Sequence, residues 1–190
     1  MTEESVKEIF LETEAMLKGH FKLTSGRHSD KYFQCARVLQ HPQYCEMLCR
    51  ELAAKFEGQG VQAVIGPAMG GILVAHEVAK ALGVRSIFAE RENGAMTLRR
   101  GFGVGAGERF LVVEDVITTG GSVKEVIEVI RRAGGFVVGA GVLVDRSGGS
   151  AEFDVPTASL LRVPAMSFSP EECPLCQQGL PFIKPGSRQV

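Results

Sequence analysis

FLVVEDVITTGGSVKE, residues 110–125, is the stretch on which the fold turns. An apolar strand ends in two carboxylates, Glu114 and Asp115. A turn of Thr118, Thr119, Gly120, Gly121 and Ser122 follows, and then a helix begins. In an open α/β sheet, ligands bind outside the carboxyl ends of the strands. This turn offers backbone N–H groups, hydroxyls and a helix N-terminus, which together make an anion cradle. Its glycines let the backbone approach a phosphate closely. The carboxylates just upstream sit about one sugar length away, as acceptors for a pair of vicinal hydroxyls. Phosphate at one end and a diol at the other describe a ribose 5-phosphate. Two carboxylates at a strand end are costly without ligand or solvent, which disfavours a plain strand–turn–helix. No G-x-x-x-x-G-K-[ST] loop occurs, and GFGVGAG (101–107) does not open a helix after a strand, so it reads as a hinge rather than a dinucleotide fingerprint.

Working outward, strand and helix patterns alternate. VQAVIG (61–66), RSIFAE (85–90) and FVVGAGVLVDR (136–146) read as strands. ILVAHEVAKALG (72–83) and GSVKEVIEVIRRAGG (121–135) read as helices, the second with arginines and glycine at its end. Such units imply a mostly parallel, twisted sheet flanked by helices. Upstream, the spacing of Val6, Ile9, Phe10 and Leu17 predicts an amphipathic helix over 2–18. Residues 20–35 predict two short strands around Ser25-Gly26, and His41-Pro42 opens a helix burying Tyr44, Leu48, Leu52 and Phe56. Residues 91–107, RENGAMTLRRGFGVGAG, read as a long mobile loop with glycine hinges. After Arg146 the pattern weakens, and SPEECPLCQQG (169–179) predicts a short helix behind a Ser169–Glu172 capping box. The expected division is an N-terminal helix and hood (1–40), a core (41–150) and a C-terminal extension packing on core or hood (151–190).

Composition bounds the function. The chain has 190 residues, 45% hydrophobic, with a formal net charge of −1. That supports a real core and gives no global basic field for nucleic acid. The N-terminus is not a secretory signal and no apolar run is long enough to span a membrane, so a cytoplasmic protein is expected. Five cysteines fit reduced thiols better than a disulfide framework. Cys173 and Cys176 form one C-x-x-C. Cys35, Cys45, Cys49, His20, His28, His41 and His76 offer no second pair at typical ligand spacing. Half-buried thiols are therefore read ahead of a structural zinc. Cys45 and Cys49 fall on a core helix face, and His76 is read as structural.

VVEDVITTGGS resembles the phosphoribosyl-pyrophosphate motif of type I phosphoribosyltransferases. FKLTSGRHSDKYF (21–33) is similar to the hood of the orotate phosphoribosyltransferases, and Asp145-Arg146 matches their strand-end arginine. The resemblance covers about residues 5–150 in matching order. It implies the type I phosphoribosyltransferase fold with a small N-terminal hood, and transfer of a phosphoribosyl group to orotate in pyrimidine synthesis. It further implies that Glu114 and Asp115 contact the ribose hydroxyls and Thr118–Ser122 hold the 5-phosphate. Lys22, Ser25, Tyr32, Phe33, Thr118 and Arg146 would face orotate. Ala68, Met69 and Gly70 of GPAMGG (66–71) would form the pyrophosphate loop. Arg91, Arg99, Arg100 and Asp115 would serve catalysis. Mg²⁺ would be held by substrate and water, with no direct protein ligand. The partners implied are phosphoribosyl pyrophosphate, orotate and a second copy whose loop completes the site, without nucleic acid or membrane. The chain departs from the family pattern at Thr24 and Met69, where many relatives have lysine, and at ENGAMTLRRG, where the loop usually carries lysines and a histidine. Two alternatives stay open: another base as acceptor, and a non-catalytic sensor of phosphoribosyl pyrophosphate.

Overall fold

The six-stranded sheet reverses its winding direction between its third and fourth strands, and that reversal places the site. In the computed structural model, which describes residues 1–23, 26–164 and 166–184, the chain runs α1 (Glu3–Glu12), β1 (Met16–Lys22), β2 (His28–Phe33), α2 (Ala36–Leu39), α3 (Pro42–Ala54), β3 (Ala63–Pro67), α4 (Gly70–Leu82) and β4 (Arg85–Glu92). It continues through β5 (Ala95–Thr97), β6 (Arg109–Ile117), α5 (Gly121–Arg132), β7 (Phe136–Asp145), β8 (Thr157–Arg162), β9 (Ser167–Phe168) and α6 (Pro174–Gln177). The main sheet has the order β5-β4-β3-β6-β7-β8. All its neighbours are parallel except β4 and β5. From β3 the chain winds to β4 on one side, and from β6 to β7 on the other. The crevice between the carboxyl ends of β3 and β6 is thus the topological switch point, where open α/β sheets bind ligands.

The core explains the strand composition. Leu111 and Val113 bury against the layer containing α3 and α4, while Phe110 and Val112 bury against α5. A strand covered on both faces needs an unbroken apolar run. Val123, Val126, Ile127 and Ile130 give α5 its buried stripe at helical spacing. Gly139 and Gly141 of β7 make room for Phe56, whose ring would lie 2.7 Å from a Cβ at residue 139.

Three expectations are corrected. The helix predicted over 2–18 ends at Glu12. The Thr13 hydroxyl donates to the Ile9 carbonyl at 2.7 Å, and Glu14 adopts φ 51°, turning the chain. Leu17 belongs to β1, so its helical spacing was coincidental. Residues 91–107 are not one loop. Asn93 (φ 52°) and Gly94 (φ 84°) form a tight hairpin turn pairing β4 with β5, and Met96, Leu98, Phe102 and Val104 pack against the α5-side core. The Ser169–Glu172 cap forms, with the Glu172 amide donating to Ser169 Oγ at 3.3 Å. It closes a turn, however, and the helix starts at Pro174. Past Arg146 the chain adds β8 to the main sheet and β9 to a small antiparallel sheet, β1-β2-β9, which forms the hood.

Candidate active site

Glu114, three residues before the end of β6, is 8% exposed. It lines a cleft of about 260 Å³ with Thr118, Thr119, Gly120, Gly121, Ser122 and Arg91. α5 starts here with Gly120 as N-cap in the left-handed region, φ 74°, and without a side-chain cap. Its first amides therefore face the cleft, where the helix dipole favours an anion. Glycine is required at 120, because a Cβ there would also lie 2.7 Å from the Phe153 ring.

The two carboxylates serve different sides. Asp115 contacts α4 and the hood, and a Cβ at Gly70 would lie 2.4 Å from its Oδ2. Gly71 lies against Glu114 less tightly, with a built Cβ 3.2 Å from Oε1. The 66–71 turn is glycine-rich because it packs its backbone on the acids, and a Cβ at Gly66 would meet the Gly71 carbonyl oxygen at 2.3 Å. Within that turn the Ala68–Met69 peptide is cis, and Met69 is 83% exposed. Burial first, and then the Asp115 charge, push the Glu114 carboxyl up to about 9. The acids' hydrogen bonds run to the Asp115 and Val116 amides rather than to a cationic side chain.

On the hood side, Arg146 is 9% exposed, with its guanidinium 4.8 Å above the Phe33 ring. Its Nε is shielded from solvent and has no hydrogen-bond partner. Burial draws its pKa below the usual arginine range. A planar cation stacked on an aromatic ring, with a donor edge free, is built to receive a planar carboxylate. Tyr32 lies in the same environment, close enough to act on Arg146 electrostatically.

The structure does not gather every expected residue. Lys22 pairs with His28 at the hairpin end, whereas Phe33 pairs with Met16. Five residues of strand separate His28 from Phe33, about 17 Å. Lys22 Nζ sits 5.5 Å from the centroid of the Phe182 ring instead. Ser25 lies outside the described residues. The loop cations are tied to acids: Arg91 Nη2 to Glu125 at 3.0 Å, Arg99 Nε to Glu92 at 3.3 Å, and Arg100 Nη2 to Glu90 at 3.0 Å. Only Arg91 of these lines the cleft.

Known proteins are similar to this chain in sequence and fold. Residues 36–164 match the phosphoribosyl transferase domain family. The orotate phosphoribosyltransferase of Pelotomaculum thermopropionicum is 65% identical over 190 residues, covering 100% of both chains. That of Desulforamulus reducens is also 65% identical over the full length of both. The crystal structure of orotate phosphoribosyltransferase from Aeropyrum pernix superposes with a TM-score of 0.70 at 30% identity, over 83% of this chain and 93% of that one. The chain belongs to the orotate phosphoribosyltransferase family. Its fold is the type I phosphoribosyltransferase fold expected from residues 110–125.

Sequence reasoning missed one neighbour of this candidate site. Cys35 is buried next to Asp115, and burial followed by the Asp115 and Glu114 charges raises its thiol well above the ordinary range. It stands between the acidic doublet and Arg146 as a neutral spacer. Nothing in its local sequence marks it, because the contact is made only when the hood folds onto β6.

Proposed function

We propose that the chain transfers the 5-phosphoribosyl group from phosphoribosyl pyrophosphate to orotate, giving orotidine 5′-phosphate and pyrophosphate in pyrimidine synthesis. The observation that carries the acceptor is Arg146: a buried, ring-stacked guanidinium with an unpartnered Nε, which shares Cys35 as a neighbour with the acidic doublet. In this reading the α5 N-terminus and Thr118–Ser122 hold the 5-phosphate. Glu114 and Asp115 accept from the ribose hydroxyls, and the 66–71 turn faces the pyrophosphate. Phe33 and Tyr32 flank the orotate ring while Arg146 pairs with its carboxylate.

The transfer breaks the C1–pyrophosphate bond as an orotate nitrogen attacks C1. The departing pyrophosphate needs charge neutralisation more than proton transfer. Mg²⁺ suits a site rich in substrate oxygens and holding two carboxylates without a cationic partner. When bound it neutralises phosphate charge and polarises the leaving group. Arg91, Arg99 and Arg100 supply the protein's share. Their present pairs with Glu125, Glu92 and Glu90 are partly exposed, and each such pair is worth about 0–1 kcal/mol, so exchange for a polyphosphate is inexpensive. Arg99 and Arg100 do not line their own cleft, which supports a homodimer in which this loop serves the neighbouring subunit. The division into hood, core and C-terminal extension, and a cytoplasmic location, belong to the same proposal. The two separate sheets, β1-β2-β9 and β5-β4-β3-β6-β7-β8, support the division, and five free cysteines fit a reducing compartment.

The test is a continuous assay of orotate absorbance with phosphoribosyl pyrophosphate and Mg²⁺. Arg146→Ala should raise the orotate KM about 10- to 100-fold, with a smaller change in the KM of the donor. Unchanged orotate affinity in that variant would overturn the acceptor assignment, and hypoxanthine, guanine, xanthine and adenine run in parallel would identify a different base.

A further inference from the structure

Away from the cleft, four ligating side chains meet at the seam between the hood and the C-terminal segment. His20 and His28 come from β1 and β2, and Cys173 and Cys176 flank the start of α6. One ligand atom from each lies within 4.8 Å of all the others. We propose that His20, His28, Cys173 and Cys176 bind one Zn²⁺ ion in a closed tetrahedral site that locks the C-terminal segment onto the hood. The expectation that no second ligand pair accompanies the C-x-x-C is thereby corrected. The pair was hidden because a hairpin, not a short sequence spacing, brings the histidines together.

The geometry fits a tetrahedron. His20 Nε2 faces His28 Nδ1 at 2.8 Å, Cys176 Sγ lies 3.2 Å from His28 Nδ1 and 3.7 Å from His20 Nε2, and Cys173 Sγ lies 3.5 Å from His20 Nε2. Bonds of about 2.0–2.1 Å to nitrogen and 2.3 Å to sulfur place tetrahedral ligand atoms about 3.3–3.8 Å apart. The nitrogens need part by only about 0.5 Å to meet that. Lys22 pairs with His28 across the hairpin, and the strand irregularity between Lys18 and Phe21 leaves the His20 ring against that of His28. His20 Nδ1 donates to the Leu180 carbonyl at 2.8 Å, which fixes the ring and leaves the Nε2 lone pair aimed at the centre. His20, His28 and Cys173 are buried. Two thiolates cancel the dication's charge, and an S₂N₂ donor set favours zinc over the hard, oxygen-seeking Mg²⁺. Binding forms two Zn–S and two Zn–N bonds, releases two thiol protons to solvent and transfers no electrons. All four positions are protein ligands, leaving none for substrate, so the ion is structural.

This role makes mechanical sense. The hood sheet is small, and a short sheet of this kind is marginal by itself. The C-terminal segment already pairs with β1, the Ile183 amide donating to the His20 carbonyl at 2.8 Å and the Lys22 amide to the Ile183 carbonyl at 2.9 Å. A metal at the same seam joins residues about 150 positions apart in the chain.

The experiment uses the full chain without a histidine tag. Elemental analysis should find about one zinc per chain, and mercurial titration of the thiols should release it to a colorimetric chelator. Cobalt reconstitution should give the intense visible bands of a tetrahedral site and a thiolate-to-metal charge-transfer band. Cys176→Ser and His28→Ala should lose the metal, whereas Cys45→Ser should keep it. Because a ligand variant can misfold, the wild-type chain is also stripped by chelator and refilled: the melting temperature should fall, and return with zinc but not with Mg²⁺. A wild-type chain that purifies without metal and gives no cobalt spectrum overturns the proposal, as does equal metal loss in Cys45→Ser. None of these readouts depends on the transfer reaction.

Discussion

At the scale of single residues, the ligand-free site avoids a second buried charge by keeping a proton on Glu114. A carboxyl whose folded pKa stands above its unfolded value holds a proton that the unfolded chain has released. Glu114 is raised from 4.5 to about 9, so its contribution to stability falls as pH rises across that window. Glu114→Gln should therefore stabilise the ligand-free protein at pH 8, on the order of 1–3 kcal/mol after allowing for coupling with Asp115, and change little near pH 4.5. The same variant should lower turnover about 10- to 100-fold, since an amide cannot give up a proton to become the stronger carboxylate acceptor when the ribose hydroxyls bind. Thermal melts from pH 4.5 to 9 check the first part, and parallel curves for the two proteins would contradict it. Asp115→Asn should depress turnover by a similar factor through the hood-facing acid.

At the scale of elements, the 66–71 turn separates two kinds of glycine. Gly70→Ala presses a methyl onto the Asp115 carboxylate, whose ideal Cβ contact is 2.4 Å, and a side chain can swing away. Turnover should drop with only a modest loss of stability, measured by paired kinetics and melting. Gly66→Ala instead meets the backbone oxygen of Gly71 at 2.3 Å. Backbone cannot yield so readily, and a loss of about 2–4 kcal/mol in chemical denaturation is expected. The elements around this turn were largely legible in the sequence, because β3, β6, α4 and α5 are defined by local apolar periodicity and by glycine at strand ends. The errors lie where local and distant forces compete. Leu17 keeps a helical spacing with Ile9 and Phe10 yet joins a strand, because Glu14 turns the chain before it. Asn93-Gly94, a strong hairpin signal, was submerged in a segment read as hinge. Met96 and Phe102 dock on the core from within a stretch dense in glycine and arginine. In the candidate site, the turn after the acidic doublet is legible in the sequence and Arg146 stands out only through the family resemblance, while Cys35 beside Asp115, and the glutamates that hold the loop arginines, depend on tertiary contacts that leave no short-range pattern.

At the scale of the whole molecule, the proposed homodimer makes a sharp statement about mixtures. If the loop of one subunit completes the site of the other, Arg100→Ala and Asp115→Asn damage different halves of a shared site. Mixed subunits should then recover up to about a quarter of wild-type turnover at equal input, since half the dimers are hybrid and each has one intact site. Mixtures no more active than the separate variants would show that each chain completes its own site. The hood and C-terminal segment set a second condition on the whole. Among the described residues, Ile183 is the backbone partner on the outer side of β1, bridging beside Phe21. A chain shortened to end after Phe168 would present that strand with its amides and carbonyls bare, an invitation to stack edge to edge with copies of itself. Such a truncate is expected to emerge from size-exclusion chromatography as soluble aggregates even with its catalytic cleft intact, so the tail acts as a guard against self-association as much as a prop for the hood.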